Sequence, residues 1–586
     1  MDNSTVISLG GNIWRETPID EAWCERVAQT YDLSPYLAQL LYKRQVVFDE
    51  VSDFLQPKLQ KLMPDPYVLK DMQKAAERVA KAVLSGEKIA IIGDYDVDGA
   101  TSTAELTRFL HTFGIDPAIH IPSREEGYGP SDLAFREFGD NGVQLVITID
   151  CGTTAFDVLN RATDNGFEVI VLDHHEAETE LPKVFALVNP KRLDEDNNYP
   201  YLQYMSAVGV GFMFLVAVNR LLRQNGFYQT HEEPNLLNLL DLVALGTVCD
   251  VVPLQGLNRA YVKQGLKVMA GQQNTGLKKL MTAVNLTTAP QAYHLGFVLG
   301  PRINACGRVG DATLGSRLLF TDDEIEAQKL AEKFNELNTE RKEIENYVLL
   351  QAIEQIESVA QEYPMAFAVG DDWHQGVIGI VAGKLRERYN IPAFVMSIEP
   401  DEVKGSARSV DGVDLGALII AAKEKGVITH GGGHVMAAGF SLTTEQIPAF
   451  KQFVGEYVKT HLESDKITPV LDIDCAVNVA AVTVDFAQQL DQLEPYGTGN
   501  PEPLFKISNT QISKPQIVGS GHVKCFLTSA LGGYLPAIAF NAADNEIGQA
   551  LLNHHGDIYD VVGNVKLDVW QGNKKVQLIV KDIMRK

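Results

Sequence analysis

Asp94, Asp96 and Asp98 stand at every second position of IIGDYDVDGATSTAEL (residues 91–106), and Gly99 and Glu105 complete the D-x-D-x-D-G-x5-E spacing of a calcium loop. Carboxylates so closely spaced suit a divalent cation. The surroundings do not suit an EF-hand, which needs a helix leading straight into its loop. Here the apolar run IAII (89–92) leads in, and Gly86 has already stopped the preceding helical pattern. Position eight is Thr101 rather than an apolar residue, and no second loop of this kind occurs in the sequence. Glu105 is then expected to be a bystander on the following helix.

Further donors recur after other apolar runs. Asp150 follows LVITI (145–149), Asp173, His174 and His175 follow VIVL (169–172), and Asp250 follows LVAL (242–245) by a few residues. Read as buried parallel strands, these runs place acidic or imidazole groups at four strand ends, where open α/β sheets bind ligands. One such aspartate alone is more often a helix cap; the set points to metal chemistry. Carboxylate with imidazole and no paired cysteines favours Mn²⁺ or Mg²⁺ over structural zinc. Two ions about 3.5–4 Å apart could clamp a phosphoryl group and activate a shared water, which requires one bridging carboxylate.

The elements that must position these groups follow from the pattern. Strand-like runs alternating with helical stretches predict an α/β domain with a mostly parallel sheet over residues 66–320, after an N-terminal extension of residues 1–65. Residues 322–363 contain neither glycine nor proline and keep helical spacing, predicting a long connecting helix, or two meeting near Asn338. Residues 364–462 read as a smaller α/β domain. Residues 463–586 carry short β-like runs between Gly, Asn and Pro, predicting a small β-barrel.

At 586 residues the chain exceeds one hydrophobic core. Its net charge of −25 argues against general adhesion to nucleic acid or anionic membranes, though not against a local basic groove. Residues 501–586, with nine Lys or Arg against seven Asp or Glu, are the least acidic part. Six scattered cysteines and a polar start without signal-peptide character give a cytoplasmic expectation. The apolar run 205–218 is read as a buried helix, so no membrane is expected.

GDYDVDG, ITIDCG, LDHHE and GTVCDVVPL resemble the four metal motifs of the DHH phosphoesterase superfamily. DPYVLKDM, IPSREEGYG, LGPRINACGR, KGSARS, THGGGHVMAAGFS and PYGTGNPEPLF resemble elements of its RecJ single-strand-specific exonucleases. The resemblance implies a DHH catalytic domain, a DHHA1 substrate domain and an OB-fold barrel. It implies one ion on Asp98, Asp150, His174 and Asp250, and another on Asp96 and Asp150, with Asp150 bridging. Many relatives place a further histidine ligand where this chain has Ile92. One ion is therefore expected to be held more weakly, with Asp94 contributing instead.

His175 would face the scissile phosphate; the alternative is a histidine that merely holds Asp173. Ser406, Arg408, Gly432, Gly433 and His434 resemble the DHHA1 nucleotide site, where consecutive glycines let backbone N–H groups approach an anion. Arg408 and Arg124 would grip a 5′-phosphate, and Arg302 and Asn304 the strand behind it. Lys514, Lys524, Phe526, Lys574 and Lys575 are candidate contacts on the barrel.

The implied function is 5′→3′ degradation of single-stranded DNA to 5′-mononucleotides in repair and recombination, with strand selectivity set by a narrow cleft between the α/β domains. A phosphodiesterase for short oligonucleotides or cyclic dinucleotides is the alternative, and a calcium-dependent or purely nucleic-acid-binding protein a third. The family implies a single-stranded-DNA-binding protein and a RecQ-type helicase as partners, and a monomer.

Overall fold

A computed structural model describes residues 6–586 except 125, 197, 359–361, 463–467, 531 and 571–572. The chain forms two compact units: residues 1–301, 312–331 and 470–586 in one, residues 302–311 and 332–469 in the other.

The first unit contains the expected parallel sheet. Its strands are β1 (Ile89–Ile92), β2 (Ala118–His120), β3 (Leu145–Ile149), β4 (Glu168–Leu172) and β5 (Ala186–Val188), in spatial order β2-β1-β3-β4-β5. Every neighbouring pair is parallel. β1, β3 and nearly all of β4 are buried, which is why these segments read as unbroken apolar runs. After β1 the chain moves to β2 on one side and returns to β3 on the other, creating a switch point at the carboxyl ends of β1 and β3.

Three helices frame that point: α1 (Val97–His111), α2 (Ala207–Gln224) and α3 (Leu240–Cys249). α2 is long and apolar enough to cross a membrane, yet most of it is buried in the core beside β3 and β4. LVAL (242–245), expected to be a strand, lies inside α3. Leu240 to Thr247 are all buried, so the 3.6-residue periodicity that marks a helix is lost.

A single helix, α4 (Glu324–Ser358), runs through the glycine-free stretch and passes from the first unit into the second. The second unit has a mixed sheet of β6 (Ala366–Asp371), β7 (Ala393–Ile398), β8 (Val403–Arg408), β9 (His430–His434) and β10 (Ala437–Leu442), ordered β9-β10-β8-β7-β6. α5 (Gln375–Tyr389) packs on β7 and β8, and α6 (Leu415–Glu424) on β9 and β10.

The C-terminal barrel belongs to the first unit. β11 (Phe505–Val518), β12 (His522–Ser529), β13 (Tyr534–Ala539), β14 (Ile558–Trp570) and β15 (Asn573–Arg585) pair in the order β11-β12-β13-β15-β14, and β14 closes on β11. N-terminal residues such as Val27, Leu37 and Leu40 share its apolar core.

Two buried guanidinium groups fasten the segment that leads into the barrel, Arg259 from the parallel-sheet domain and Arg44 from the N-terminal extension. Arg259 donates to the carbonyls of Phe54 (2.6 Å), Leu493 (2.9 Å), Glu494 (2.9 Å) and Pro495 (3.3 Å), and stacks on the Phe54 ring. Arg44 donates to Asn500 Oδ1 and the Pro501 carbonyl, both at 2.7 Å. The PYGTGNP stretch (495–501) is thus a structural joint.

Candidate metal centre and nucleic-acid-binding residues

The aspartate triplet straddles a strand-to-helix transition. Asp94 and Asp96 lie between β1 and α1, and Asp98 is already in the first turn of α1. The alternate spacing therefore does not act through an extended chain. Asp96 caps α1 by accepting the Gly99 N–H at 3.0 Å, as a lone strand-end aspartate would. Gly99 is required because a Cβ there would sit 2.4 Å from the Asp94 carbonyl oxygen.

Asp98 accepts the N–H groups of Ala207 (2.6 Å) and Val208 (3.0 Å), so the N-terminus of α2 orients it. At Gly246 of α3 a Cβ would lie 2.8 Å from Asp98 Oδ1. Absence of a side chain there lets the two helices meet over the carboxylate.

Asp150 directly follows β3 with φ +63°, a left-handed conformation uncommon outside Gly, Asn and Asp. Its N–H donates to the Leu172 carbonyl (3.0 Å), and its own carbonyl accepts the Tyr128 hydroxyl (2.8 Å). Asp173, after β4, accepts from Thr153 N–H (2.9 Å), His174 N–H (2.8 Å) and His175 Nδ1 (2.7 Å). Burial opposes its ionisation, but these bonds and the charge of His175 hold it well below the ordinary carboxylate range. Asp250 follows the last residue of α3, so it reaches the site from a helix C-terminus rather than a strand end.

These placements converge. Donor atoms of Asp98, His174 and Asp250 lie within 4.8 Å of one another, as do those of Asp94, Asp96 and Asp150, and those of Asp150, His174 and His175. His174 Nε2 is 3.2 Å from Asp150 Oδ1, and its Nδ1 is 3.5 Å from Asp250 Oδ2. Ile92 is fully buried among apolar neighbours and offers no donor, while Asp94 stands inside the cluster.

The electrostatics are those of a cation site. Burial, then repulsion by Asp96, pushes Asp94 up to about 8 and Asp98 to about 7. Burial and then Asp98 push Asp250 to about 9, and the same two causes raise Asp150 well above its ordinary value. Burial and then the charge of His175 lower His174 to about 4, leaving a neutral imidazole. Asp94 Oδ1, His174 Nδ1 and Asp250 Oδ2 are buried without a hydrogen-bond partner. Oxygen-rich, thiolate-free donors with orphaned atoms fit Mn²⁺ or Mg²⁺.

Arg124 stacks over Tyr95, inside the triplet, at 4.2 Å, and its charge acts on Asp94. Tyr128 was not foreseen. Its hydroxyl bonds the Asp150 carbonyl and lies 3.1 Å from His175 Nδ1, while its ring is half exposed. The IPSREEGYG motif held that signal, but attention there falls on its arginine, the group that matches a phosphate. The role of the α2 N-terminus was equally hidden. Glu105 is in none of these donor groups: it is fully buried in α1, both carboxylate oxygens lack hydrogen-bond partners, and burial raises its pKa well above the ordinary value.

In the second unit the consecutive glycines lie in a strand. His430 to His434 form β9, the edge strand of the sheet, paired along its length with β10. Register aligns Gly432 with Gly439 and Ser406, and His434 with Ala437 and Arg408. Ser406, Arg408, Gly432 and His434 therefore share one face, whose floor at Gly432 and Gly439 is open because a Cβ there would touch nothing. Gly433 faces the other way, where a Cβ would sit 2.4 Å from the Ala437 carbonyl. Arg408 donates to Ser406 Oγ (3.2 Å), and burial, then Arg386, lowers its pKa. Arg302 donates to Asn335 Oδ1 at 3.0 Å, and Asn304 is half-buried nearby in sequence.

On the barrel, Phe526 stacks on Tyr534 with centroids 4.2 Å apart, on the outer face that also carries Lys524. Lys514 sits exposed at a bulge of β11, and Lys574 and Lys575 are exposed on β15.

Comparison with known proteins agrees with this architecture. Family models match for the DHH family N-terminal domain (residues 88–247), the DHHA1 domain (362–460) and the RecJ OB domain (473–582). The single-stranded-DNA-specific exonuclease RecJ of Bacillus subtilis is 33% identical, covering 97% of this chain and 70% of its own. That of Escherichia coli is 35% identical, over 88% of this chain and 90% of its own. A crystal structure of Thermus thermophilus RecJ with Mn²⁺ superposes with a TM-score of 0.80 at 28% identity, covering 97% of this chain and 79% of that one. With three matching domains in one order and that level of identity, the chain belongs to the RecJ family of single-stranded-DNA-specific exonucleases.

Proposed function

We propose that the protein is a single-stranded-DNA-specific exonuclease of DNA repair and recombination, a phosphodiester hydrolase using Mn²⁺ or Mg²⁺, that works from the 5′ end and releases 5′-mononucleotides. The observation that carries this reading is the buried cluster of Asp94, Asp98, Asp150, His174 and Asp250 with its orphaned donor atoms, in a chain of the RecJ family. Thermus thermophilus RecJ structures with Mn²⁺ and with Mg²⁺ support the choice of ions.

Asp98, Asp150, His174 and Asp250 would hold one ion; Asp96, Asp150 and Asp94 would hold the other, more weakly. When bound, such ions lower the pKa of a water and stabilise charge on phosphoryl oxygens. Asp173 occupies Nδ1 of His175, which leaves Nε2 to donate to a non-bridging phosphate oxygen. Tyr128 fixes both His175 and the Asp150 backbone. Arg124 would meet the 5′-phosphate.

In the second unit, Arg408, Ser406 and His434, over the glycine floor at Gly432, would hold nucleotide phosphate and sugar. Gly433 would contribute only backbone groups, and Arg302 and Asn304 would touch the strand further on. The barrel would take the strand on Lys514, Lys524, Phe526, Lys574 and Lys575. A single-stranded-DNA-binding protein and a RecQ-type helicase are the partners this reading suggests, for a monomeric enzyme.

The test uses long single-stranded DNA labelled at either end, with Mn²⁺, Mg²⁺ or Ca²⁺. The reading expects mononucleotides from the 5′ end with Mn²⁺ or Mg²⁺ and little release with Ca²⁺. Cleavage confined to oligomers of a few residues would contradict it.

A further inference from the structure

Residues Ala292–His294 form a helical turn that passes into a π-helix at Leu295–Leu299. Leu295 and Leu299 are fully buried, whereas Tyr293 and Phe297 are 63% and 72% exposed. The two exposed rings are stacked, with centroids 5.2 Å and planes 26° apart. Two large rings held together in water add little to the core and are the kind of exposed apolar feature that marks a binding surface. A π-helical turn is itself uncommon and frequent at functional sites. Thr287, Thr288 and Gln291 nearby in sequence are exposed and polar, so the rings form an isolated plate rather than an apolar groove. A flat apolar face with polar edges complements a nucleobase.

The plate is fastened to the metal centre. Cys249 Sγ donates to the Leu295 carbonyl at 3.4 Å, and a Cβ at Gly300 would lie 2.4 Å from that sulfur. Cys249 ends α3 and Asp250 is the next residue. Val251 then sits at φ +62° with its side chain 65% exposed, an outlier for a β-branched residue. Exposed apolar groups thus occupy both elements that meet at Cys249.

We infer that Tyr293 and Phe297 are a stacking platform for an unpaired base of the DNA strand entering the metal centre from the Asp250 side, an inference that rests on the nuclease function proposed above. Stacking accepts any base, since each has a π-face. It also discriminates against duplex, whose bases already stack on their neighbours. The platform positions substrate and takes no part in bond cleavage.

The test compares wild type with Tyr293→Ala, Phe297→Ala and the double variant on intact single strands. A second substrate series carries one abasic residue walked inward from the 5′ end. The double variant is expected to raise KM about tenfold, with the loss in KM rather than kcat. Wild type should lose a similar factor when the abasic residue reaches one particular register, and the double variant should have lost that sensitivity. Phe297→Trp, which keeps an aromatic face, should retain it. The inference is overturned by wild-type KM in the double variant, by an abasic penalty that persists in it, or by the lack of any sensitive register in wild type. A thermal midpoint lowered by more than a few degrees would assign the rings to the fold instead. Absence of metal-dependent degradation by the wild type would instead overturn the underlying function.

Discussion

Two buried polar clusters of the first unit differ in one respect. Arg259 is 1% exposed, and its guanidinium is surrounded by the carbonyls of Phe54, Leu493, Glu494 and Pro495. Asp98 and Asp150 are as deeply buried, at 1% and 2%, yet their cluster raises its own carboxyl pKa values and leaves Asp94 Oδ1, His174 Nδ1 and Asp250 Oδ2 unpartnered. Burial of charge is therefore not the signal of function, and neither is one unsatisfied carboxylate such as Glu105; unsatisfied donors that converge within reach of one another are. The saturated cluster holds domains together, and the unsaturated one is built around cations.

Substitutions should separate the two clusters. Asp150→Asn, removing the carboxylate shared by two donor groups, should lower nuclease turnover by roughly a thousandfold or more while the protein stays folded. Circular dichroism and single-turnover degradation read both halves, and an unfolded variant would break the contrast. Arg259→Met should do the reverse. Its orphaned carbonyls should cost about 3 kcal/mol in urea denaturation, with activity per folded molecule nearly retained.

Asp173→Asn is expected to fall between these, lowering metal affinity or activity about 10- to 100-fold, because Asp173 accepts from the His174 backbone N–H and from His175 Nδ1 but is in none of the donor groups. The smallest effect belongs to Glu105. Its folded-state pKa is raised, so its ionisation destabilises the fold: the penalty is absent below the ordinary value of 4.5 and grows as pH rises towards the folded value. Glu105→Gln should gain thermal midpoint relative to wild type as pH increases, and a gain independent of pH would contradict the assignment.

The donor residues of the centre were legible in the sequence because each stands beside an apolar run or a glycine. The paths to the centre were less so. LVAL reads equally as strand or helix, since four apolar residues carry no period and α3 is buried along most of its length. Asp94, Asp96 and Asp98 share one spacing, but Asp96 caps a helix whose first turn holds Asp98. GGGH carries no strand signal, because glycine weakens strands; here missing side chains create the open floor beside Ser406 and Arg408. Tyr128 and the N-terminus of α2 act through contacts 22 and 109 residues away in sequence, which no local pattern encodes.

The central claim, that the unsatisfied cluster is a divalent-cation site, is tested most directly by adding Mn²⁺ to chelator-treated protein while following the thermal midpoint. A bound ion stabilises the folded state, by about 2.7 kcal/mol at a hundredfold excess over Kd. Wild type and Arg259→Met should both rise with Mn²⁺, and Asp150→Asn should rise little. A wild-type midpoint indifferent to Mn²⁺, or an equal rise in Asp150→Asn, would contradict the account.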